Sequence, residues 1–136
     1  MAGRWLLKTE PSAYSFARLQ RDGRAVWDGV KNPVALKHLR AVQPGDQLLI
    51  YHTGDEKAVV GIAAALGPAY PDPKQKDPRL VVIDLAPAAA LPRPVTLAEI
   101  KASPKFAGWD LVRLPRLSVM PVSPEHWAEI ERLARR

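Results

Sequence analysis

The fold class is decided by residues 47–86, which contain three apolar segments with no helix between them. They are Gln47-Leu-Leu-Ile-Tyr-His52, Ala58-Val-Val-Gly-Ile-Ala-Ala-Ala-Leu66 and Arg79-Leu-Val-Val-Ile-Asp-Leu-Ala86. Their length and apolar content predict three consecutive strands. A doubly wound parallel sheet needs a helix between its strands. We therefore predict an α+β fold in which a small mixed or antiparallel sheet curls into a barrel with short flanking helices. In the second segment, Gly61 predicts a bulge or a close backbone approach.

Capping signals place four short helices around this sheet. Ser15, Asn32 and Ser123 are typical N-cap residues, and a proline follows two of them at the first helical position. Residues 96–99, Thr-Leu-Ala-Glu, match a capping box. The predicted helices are Phe16–Gln20, Pro33–Val42, residues 97–102 and a terminal helix from Pro124, and further strands are predicted at Arg4–Lys8, Leu111–Leu114 and Leu117–Val122.

Length and composition exclude several classes of protein. The chain of 136 residues is about one domain long, and we treat residues 1–136 as a single domain. The absence of cysteine excludes disulfide frameworks, Cys-liganded zinc and thiol catalysis. Residues 58–69 form the longest weakly polar stretch, which is too short to span a bilayer, and the N-terminal apolar run is too short for a signal peptide. We therefore expect a cytoplasmic protein without membrane contacts.

The formal net charge of +6 indicates a polyanionic partner, which for a small basic domain is most often nucleic acid. The lysines and arginines are dispersed along the chain and form no basic tract. Ordinary solvated surface charge is therefore the alternative explanation of the charge balance.

Known catalytic motifs are missing from the sequence. It contains no nucleophile elbow, no phosphate-binding loop and no dinucleotide glycine fingerprint. The three histidines, His38, His52 and His126, are isolated and lack the spacing of metal ligands. We therefore predict no metal, no cofactor and no catalytic residue.

A few side chains are candidates for base recognition. Trp27 precedes an Asp-Gly turn, where an indole can offer a stacking face to a base, although the same ring can close one end of the core. Asn32 can pair with a base edge, but its place before Pro33 favours a helix cap. Tyr51 and His52 end a predicted strand, where they either line a pocket mouth or pack at the edge of the core.

Five short motifs, in this order, resemble the EVE-domain family. They are Trp5-Leu-Leu-Lys-Thr-Glu-Pro11, Trp27-Asp-Gly-Val-Lys-Asn32, Gly45-Asp46 with Tyr51-His52-Thr53, Tyr70-Pro-Asp-Pro73, and Arg116-Leu-Ser-Val-Met-Pro-Val122. The resemblance covers nearly the whole chain. It implies a PUA-like fold, a small β-barrel with flanking helices, similar to the YTH and ASCH domains. It also implies binding of modified bases in nucleic acid without catalytic activity.

The resemblance also implies a set of pocket residues. The implied base pocket comprises Lys8, Thr9, Glu10, Trp27, Asp28, Gly29, Val30, Asn32, Tyr51, His52, Thr53 and, in another family motif, Ser118. Lysines and an arginine around the mouth are candidates for holding phosphates: Lys31, Lys74, Lys76 and Arg116. The vertebrate member of the family carries a longer insertion around Tyr70-Pro-Asp-Pro73, so the identity of the ligand does not transfer to this compact loop.

The main hypothesis is therefore a reader module that stacks a modified base of DNA or RNA on Trp27. A small hydrolase-like enzyme acting on a modified nucleoside is the alternative, because Glu10, Asp28 and His52 are titratable groups that can converge in one pocket. No carboxylate pair or nucleophile–base spacing supports that alternative. A structural interaction protein with a vestigial pocket is the third possibility.

Overall fold

The computed structural model describes residues 3–136. Within this range, seven strands and five α-helices follow one another, together with a short 3₁₀ turn at Pro104–Phe106. The strands are β1 (Arg4–Thr9), β2 (Ala25–Trp27), β3 (Gln47–His52), β4 (Ala58–Ala65), β5 (Tyr70–Pro71), β6 (Val81–Thr96) and β7 (Val119–Pro121). The helices are α1 (Phe16–Asp22), α2 (Pro33–Ala41), α3 (Leu97–Ala102), α4 (Asp110–Arg113) and α5 (Pro124–Ala134).

The strands form one curled sheet in the order β2-β6-β4-β3-β1-β7, and β5 pairs with the start of β6. Only β1 and β3 are parallel, whereas the other pairs are antiparallel. The parallel pair is possible because α1, β2 and α2 lie in the connection between its strands. This pairing brings the C-terminal ends of β1 and β3 side by side, with Thr9 opposite His52.

A buried carboxylate, which we call the clamp, holds the N-terminal ends of β1 and β3 together by hydrogen bonds. Asp46, which immediately precedes β3, is only 2% exposed. Its Oδ1 accepts a hydrogen bond from Gly3 N at 2.7 Å, and its Oδ2 accepts from Trp5 Nε1 at 2.9 Å and from Gln43 N at 2.8 Å. The Gly45-Asp46 motif therefore ties the start of β1 to the start of β3.

The predicted helix caps are confirmed. The Ser15 hydroxyl accepts from Arg18 N, Asn32 Oδ1 accepts from two backbone N–H groups of α2, and Ser123 caps α5. The capping box of Thr96 and Glu99 is complete in both directions. Each cap satisfies N–H groups that a helix start leaves without intrahelical partners.

Gly61 has both predicted properties. The pairing of β4 with β6 shifts register beside it, so that residues 91–94 of β6 lie opposite Val60 alone. In addition, the buried ring of Phe16 lies against its backbone, and a Cβ on Gly61 would be 2.4 Å from Phe16 Cζ. The bulge also explains how β6 continues through Pro92 and Pro94, which lack the N–H needed for regular pairing.

Three element predictions need correction, and one of them is the strand predicted at Leu117–Val122, which is confined to Val119–Pro121. The predicted strand Leu111–Leu114 is wrong, because these residues lie in and just after α4, where Val112 N and Arg113 N both donate to Trp109 O. Four residues of which three are apolar fit either state, and here burial of Leu111 with exposure of Leu114 suits one helical turn. The strand predicted at Arg79–Ala86 begins at Val81 but runs on to Thr96.

The core lies inside the curled sheet and beneath α2 and α5. Trp127, Ile130 and Leu133 of α5 are all buried, as their spacing predicts. Trp5 is only partly buried and packs at the edge of the core. Within residues 3–136, no helix has the length and apolar character required to cross a membrane.

Candidate nucleic-acid interface

A cavity of about 320 Å³ lies beside the C-terminal end of β1. Its size is at the lower end of the range for small-ligand pockets. Segments around β1, α1 and β2 form its walls, and the lining residues are Thr9, Ala13, Tyr14, Val26, Trp27 and Asp28. We call it the aromatic cavity. It joins two of the family-like motifs, which are far apart in the sequence.

A tight turn holds the first wall of the aromatic cavity in place. Ala13 N and Tyr14 N both donate to Glu10 O at 2.9 Å. Thr9 Oγ1 donates to Tyr14 O at 2.8 Å, which joins the end of β1 to the tyrosine. The Tyr14 hydroxyl donates to Asp22 Oδ2 at 2.8 Å, so α1 orients the phenol ring. Partial burial, followed by this hydrogen bond, raises the pKa of Tyr14 above its usual value.

Trp27 forms the back wall. It is the last residue of β2, pairs with Ile83 of β6 and is 7% exposed. Its ring meets that of Tyr14 edge to face, with centroids 6.4 Å apart and an interplanar angle of 87°. The indole therefore belongs to the core and also borders the cavity. Two aromatic rings with a threonine and a carboxylate nearby can hold a planar ring and hydrogen-bond its edge.

The other predicted pocket residues lie elsewhere. Asn32 Oδ1 is engaged in capping α2, accepting from Val34 N at 2.8 Å and Ala35 N at 3.1 Å. Asn32 also borders a second cavity, shared with Arg116. Gly29 is exposed with φ of 80°, a conformation that suits glycine in a turn. Val30 is buried in the core.

His52 is held on both sides of its ring. Its Nε2 accepts from Phe16 N at 3.0 Å, and its Nδ1 lies 2.7 Å from Glu56 Oε1. Because a backbone N–H can only donate, the neutral ring carries its proton on Nδ1. The residue is 7% exposed and lies at the edge of the core, linking β3 to the start of α1.

The titratable groups behind the enzyme hypothesis are not gathered in the aromatic cavity. Asp28 lines the aromatic cavity, whereas the ring nitrogens of His52 are both occupied. Glu10 accepts from Ser12 Oγ at 3.3 Å and Thr53 Oγ1 at 3.2 Å. No group of His, Asp and Glu suited to a metal ion occurs in the described part of the chain.

Lys8, Tyr51 and Thr53 line another cavity, on the far side of β1. Ser118 aligns β7 with β1 through its carbonyl, which accepts from Lys8 N at 2.9 Å.

The four predicted phosphate-binding residues, Lys31, Lys74, Lys76 and Arg116, are exposed but spread over different surfaces. Lys31 shares a cavity with Arg40 and Arg79, while Lys74 and Lys76 lie on the loop after β5. Asp72 shapes that loop, because its Oδ1 accepts from Lys74 N at 2.9 Å.

Sequence reasoning missed Ala13, Tyr14 and Val26 as lining residues of the aromatic cavity. Tyr14 directly precedes the N-cap Ser15, so a turn that presents its ring was the available signal. Val26 is half exposed although it is apolar and lies in a strand between Ala25 and Trp27. The strand alternation of β2 was the available signal for this position.

The fold and the aromatic cavity define a small PUA-like domain that can accept a planar ligand. The sequence matches the EVE domain over residues 3–133, so the chain belongs to the EVE-domain family. The resemblance seen in the five motifs is thus confirmed, as is the predicted α+β, PUA-like fold.

Comparison with known proteins supports this assignment. The NMR structure of Rpa0253 from Rhodopseudomonas palustris is similar with a TM-score of 0.93 and 37% identity, covering 98% of this chain and 94% of that one. Human thymocyte nuclear protein 1 is 26% identical over 93% of this chain and 72% of its own length. A crystal structure of human THYN1 protein in complex with 5-methylcytosine-containing DNA shares the fold, with a TM-score of 0.91 and 24% identity, covering 99% of both chains.

Proposed function

We propose that this protein is a nucleic-acid reader that accepts a modified base in the aromatic cavity. The observation that carries the proposal is the cavity lined by Thr9, Tyr14, Trp27 and Asp28, in which two aromatic rings and two hydrogen-bonding side chains border the same space. The relation to a human protein that has been solved with 5-methylcytosine-containing DNA supports the same class of ligand. DNA with 5-methylcytosine is therefore the first substrate to test, and modified RNA is the second.

In this proposal the base leaves its stack and enters the cavity, as in proteins that flip a nucleotide. The rings of Tyr14 and Trp27 contact the base, and Thr9 with Asp28 reads its polar edge. The net charge of +6 draws the phosphate backbone to the surface, with Lys31, Lys74, Lys76 and Arg116 as candidate contacts. We place this activity in the cytoplasm, and cell fractionation tests that part of the proposal.

The test is fluorescence anisotropy with a panel of labelled oligonucleotides. The panel holds unmodified cytosine, 5-methylcytosine, 5-hydroxymethylcytosine and N6-methyladenine, each as DNA and RNA, at two salt concentrations. We expect one modification to bind more tightly than its unmodified match at both salt concentrations. Equal affinity for every oligonucleotide, lost together as salt rises, would contradict the proposal, because charge alone gives that result.

Variants of Tyr14 link the preference to the cavity. Base stacking contributes about 1–3 kcal/mol, so Tyr14→Ala is expected to weaken binding of the preferred oligonucleotide by roughly 5- to 150-fold. Tyr14→Phe keeps the ring and is the matched control, with a much smaller effect. Trp27→Ala suits the test less well, because truncating a buried tryptophan costs about 3–5 kcal/mol of stability. Trp27→Phe keeps a flat ring and is the better variant at that position.

A further inference from the structure

A second cleft, which we call the lysine cleft, lies across β1 from the aromatic cavity. Its volume is about 280 Å³, and three lysines border it: Lys8 at the end of β1, Lys57 before β4 and Lys101 in α3. Tyr51 and Thr53 from the end of β3 are also in its wall. Successive side chains of a strand point to opposite faces, so Thr9 borders the aromatic cavity while Lys8 borders the lysine cleft.

In the described part of the chain, the three ammonium groups are not paired with carboxylates. Among residues 3–136, none of Lys8, Lys57 and Lys101 lies within salt-bridge distance of an acidic side chain. The nearby carboxylates bond to other groups, Glu10 to Thr53 and Glu56 to His52. An adjacent depression, which Lys57 and Lys101 also line, brings Asp55 and Glu56 close to these two lysines, but Lys8 does not line it.

Lys8 is positioned by fixed contacts rather than free in solvent. Its Nζ donates to Pro115 O at 2.9 Å and lies 5.7 Å from the centroid of the Tyr51 ring. Burial lowers the pKa of Lys8 below its usual value, because the ammonium has lost part of its hydration. An ammonium has three N–H donors, so two remain for a ligand. An anion in the cleft would supply the favourable interaction that water no longer provides.

Lys57 has an unusual backbone. Its φ of 46° places it in the left-handed region, and within residues 3–136 it is the single non-glycine residue with positive φ. Such conformations are uncommon outside glycine, asparagine and aspartate, and strain of this kind occurs preferentially at functional sites. A glycine here would relieve the strain but would remove the ammonium group from the rim of the cleft.

We propose that the lysine cleft binds a backbone phosphate of the nucleic-acid strand whose base occupies the aromatic cavity. This inference rests on the proposed function and adds the path of the strand across the end of β1. Lys8 and Thr9 are consecutive residues of β1, with Cα atoms about 3.8 Å apart, so the two cavities border the same strand end. A phosphate next to the extruded nucleotide therefore reaches the lysines while its base remains beside Tyr14 and Trp27. Lys8 is thereby a phosphate ligand rather than part of the base pocket.

The first test measures the salt dependence of DNA binding for Lys57→Gln and Lys101→Gln. Each variant removes one ammonium group without shortening the side chain greatly. We expect the slope of log K against log salt to fall by about 1 for each variant, with equal weakening on modified and unmodified DNA. Lys37→Gln, an exposed lysine of α2 outside every cavity described here, is the matched control and keeps the wild-type slope. Lys57→Arg, which keeps the charge, is expected to restore the slope.

The second test locates the phosphate. Each phosphate on either side of the modified base is replaced in turn by an uncharged methylphosphonate, in DNA containing 5-methylcytosine. We expect the replacement at one position to weaken DNA binding by the wild type. The same replacement is expected to cause no further loss of affinity in the Lys57→Gln, Lys101→Gln double variant. If no position shows this loss of additivity, or if both lysine variants keep the wild-type slope, the inference is overturned.

These tests separate the inference from the proposed function. Wild-type protein without any base preference would refute the reader, whereas the slopes and the phosphate scan would still report on the lysine cleft. A change in the ratio of modified to unmodified affinity in Lys57→Gln would show that the cleft reads a base. That result would also overturn the assignment of a phosphate site.

Discussion

Replacing Asp46 by asparagine removes the negative charge of the clamp at the start of β1 and β3 while keeping its shape. In the wild type, Oδ2 accepts two hydrogen bonds, from Trp5 Nε1 and Gln43 N, and Oδ1 accepts one from Gly3 N. An asparagine with its oxygen at the Oδ2 position keeps the first two bonds as neutral ones. Its NH₂ group then faces the Gly3 N–H, donor against donor, and the third bond is lost.

The size of the effect follows from these three bonds. A hydrogen bond to a charged group contributes about 1.5–3 kcal/mol and a neutral one about 0.5–1.5 kcal/mol. One bond lost and two weakened would cost roughly 4 kcal/mol, and the cheaper burial of an amide offsets part of it. We therefore expect Asp46→Asn to lower the free energy of unfolding by about 2–4 kcal/mol, a large fraction of the 5–15 kcal/mol typical of a domain.

The pH dependence provides an independent check. Burial alone raises the pKa of Asp46, but the three hydrogen bonds outweigh it and the net pKa lies below its usual value. A carboxyl group with a lowered folded-state pKa stabilises the fold fully above its unfolded pKa, which is about 3.9. The stabilisation is lost as pH falls through the lower folded-state value. The stability gap between wild type and Asp46→Asn is therefore largest near neutral pH and narrows below about pH 4.

Urea unfolding followed by tryptophan fluorescence, at pH 7 and at steps down to pH 3, measures this gap. Asp55→Asn is the control, because Asp55 is an exposed loop carboxylate. A gap below 0.5 kcal/mol at pH 7, or one that does not change with pH, would refute this account of the clamp. The clamp lies at the opposite end of β1 from Thr9, so any base preference should survive in the folded fraction of Asp46→Asn.

Other predictions concern packing, the buried histidine and one helix ion pair. Gly61→Ala forces the ring of Phe16 to move, and we expect a loss of about 1–3 kcal/mol in urea unfolding; unchanged stability would mean that the ring has room. His52→Ala leaves the Phe16 N–H without its acceptor and opens a cavity, so a loss of about 2–4 kcal/mol is expected. A folded His52→Ala variant that retains base preference supports a structural histidine, whereas selective loss of binding contradicts it. Hydrogen bonds from Arg132 lower the pKa of Glu129 to about 2. We therefore expect Glu129→Gln to lower the free energy of unfolding by about 1 kcal/mol at pH 7, and by progressively less as pH falls from about 4.3 to 2. Thermal unfolding measures this difference. An unfolding temperature gap that persists at pH 2 would contradict that assignment.

Local signals in the sequence predicted the four helices that have a side-chain cap, and they missed α4, whose N-cap Trp109 makes no side-chain hydrogen bond. The caps at Ser15, Asn32 and Ser123 use side chains within three residues of the N–H groups that they satisfy. The end of a strand, in contrast, depends on the neighbouring strand with which it pairs. The extension of β6 to Thr96 depends on a bulge opposite Val60, and no pattern within residues 87–95 reports that partner.

The candidate site was predicted only in part for the same reason. Thr9, Trp27 and Asp28 share one cavity, as the resemblance implied, because the end of β1 and the end of β2 meet near α1. Lys8 and Tyr51 were assigned to that pocket too, but strand alternation directs Lys8 to the other face of β1. Motif order alone does not distinguish the two faces. The N-cap Ser15 marks the turn that contains Tyr14, but it does not report the hydrogen bond from Thr9 Oγ1 to Tyr14 O that sets the wall of the cavity.

Dispersed charge in the sequence does not mean dispersed charge on the surface. Lys8, Lys57 and Lys101 come from three distant segments, yet the pairing of β1 with β3 and of β4 with β6 gathers them around one cleft. The aromatic cavity on the opposite face of β1 holds no lysine or arginine. Our two proposals therefore assign affinity from phosphates and selectivity from a base to different faces of one strand end. Two variants should then separate the two contributions. Lys101→Gln is expected to change the salt dependence of binding without changing the preference for the modified base. Tyr14→Ala is expected to change that preference without changing the salt dependence. If the two variants alter both quantities together, the two faces do not act as separate subsites.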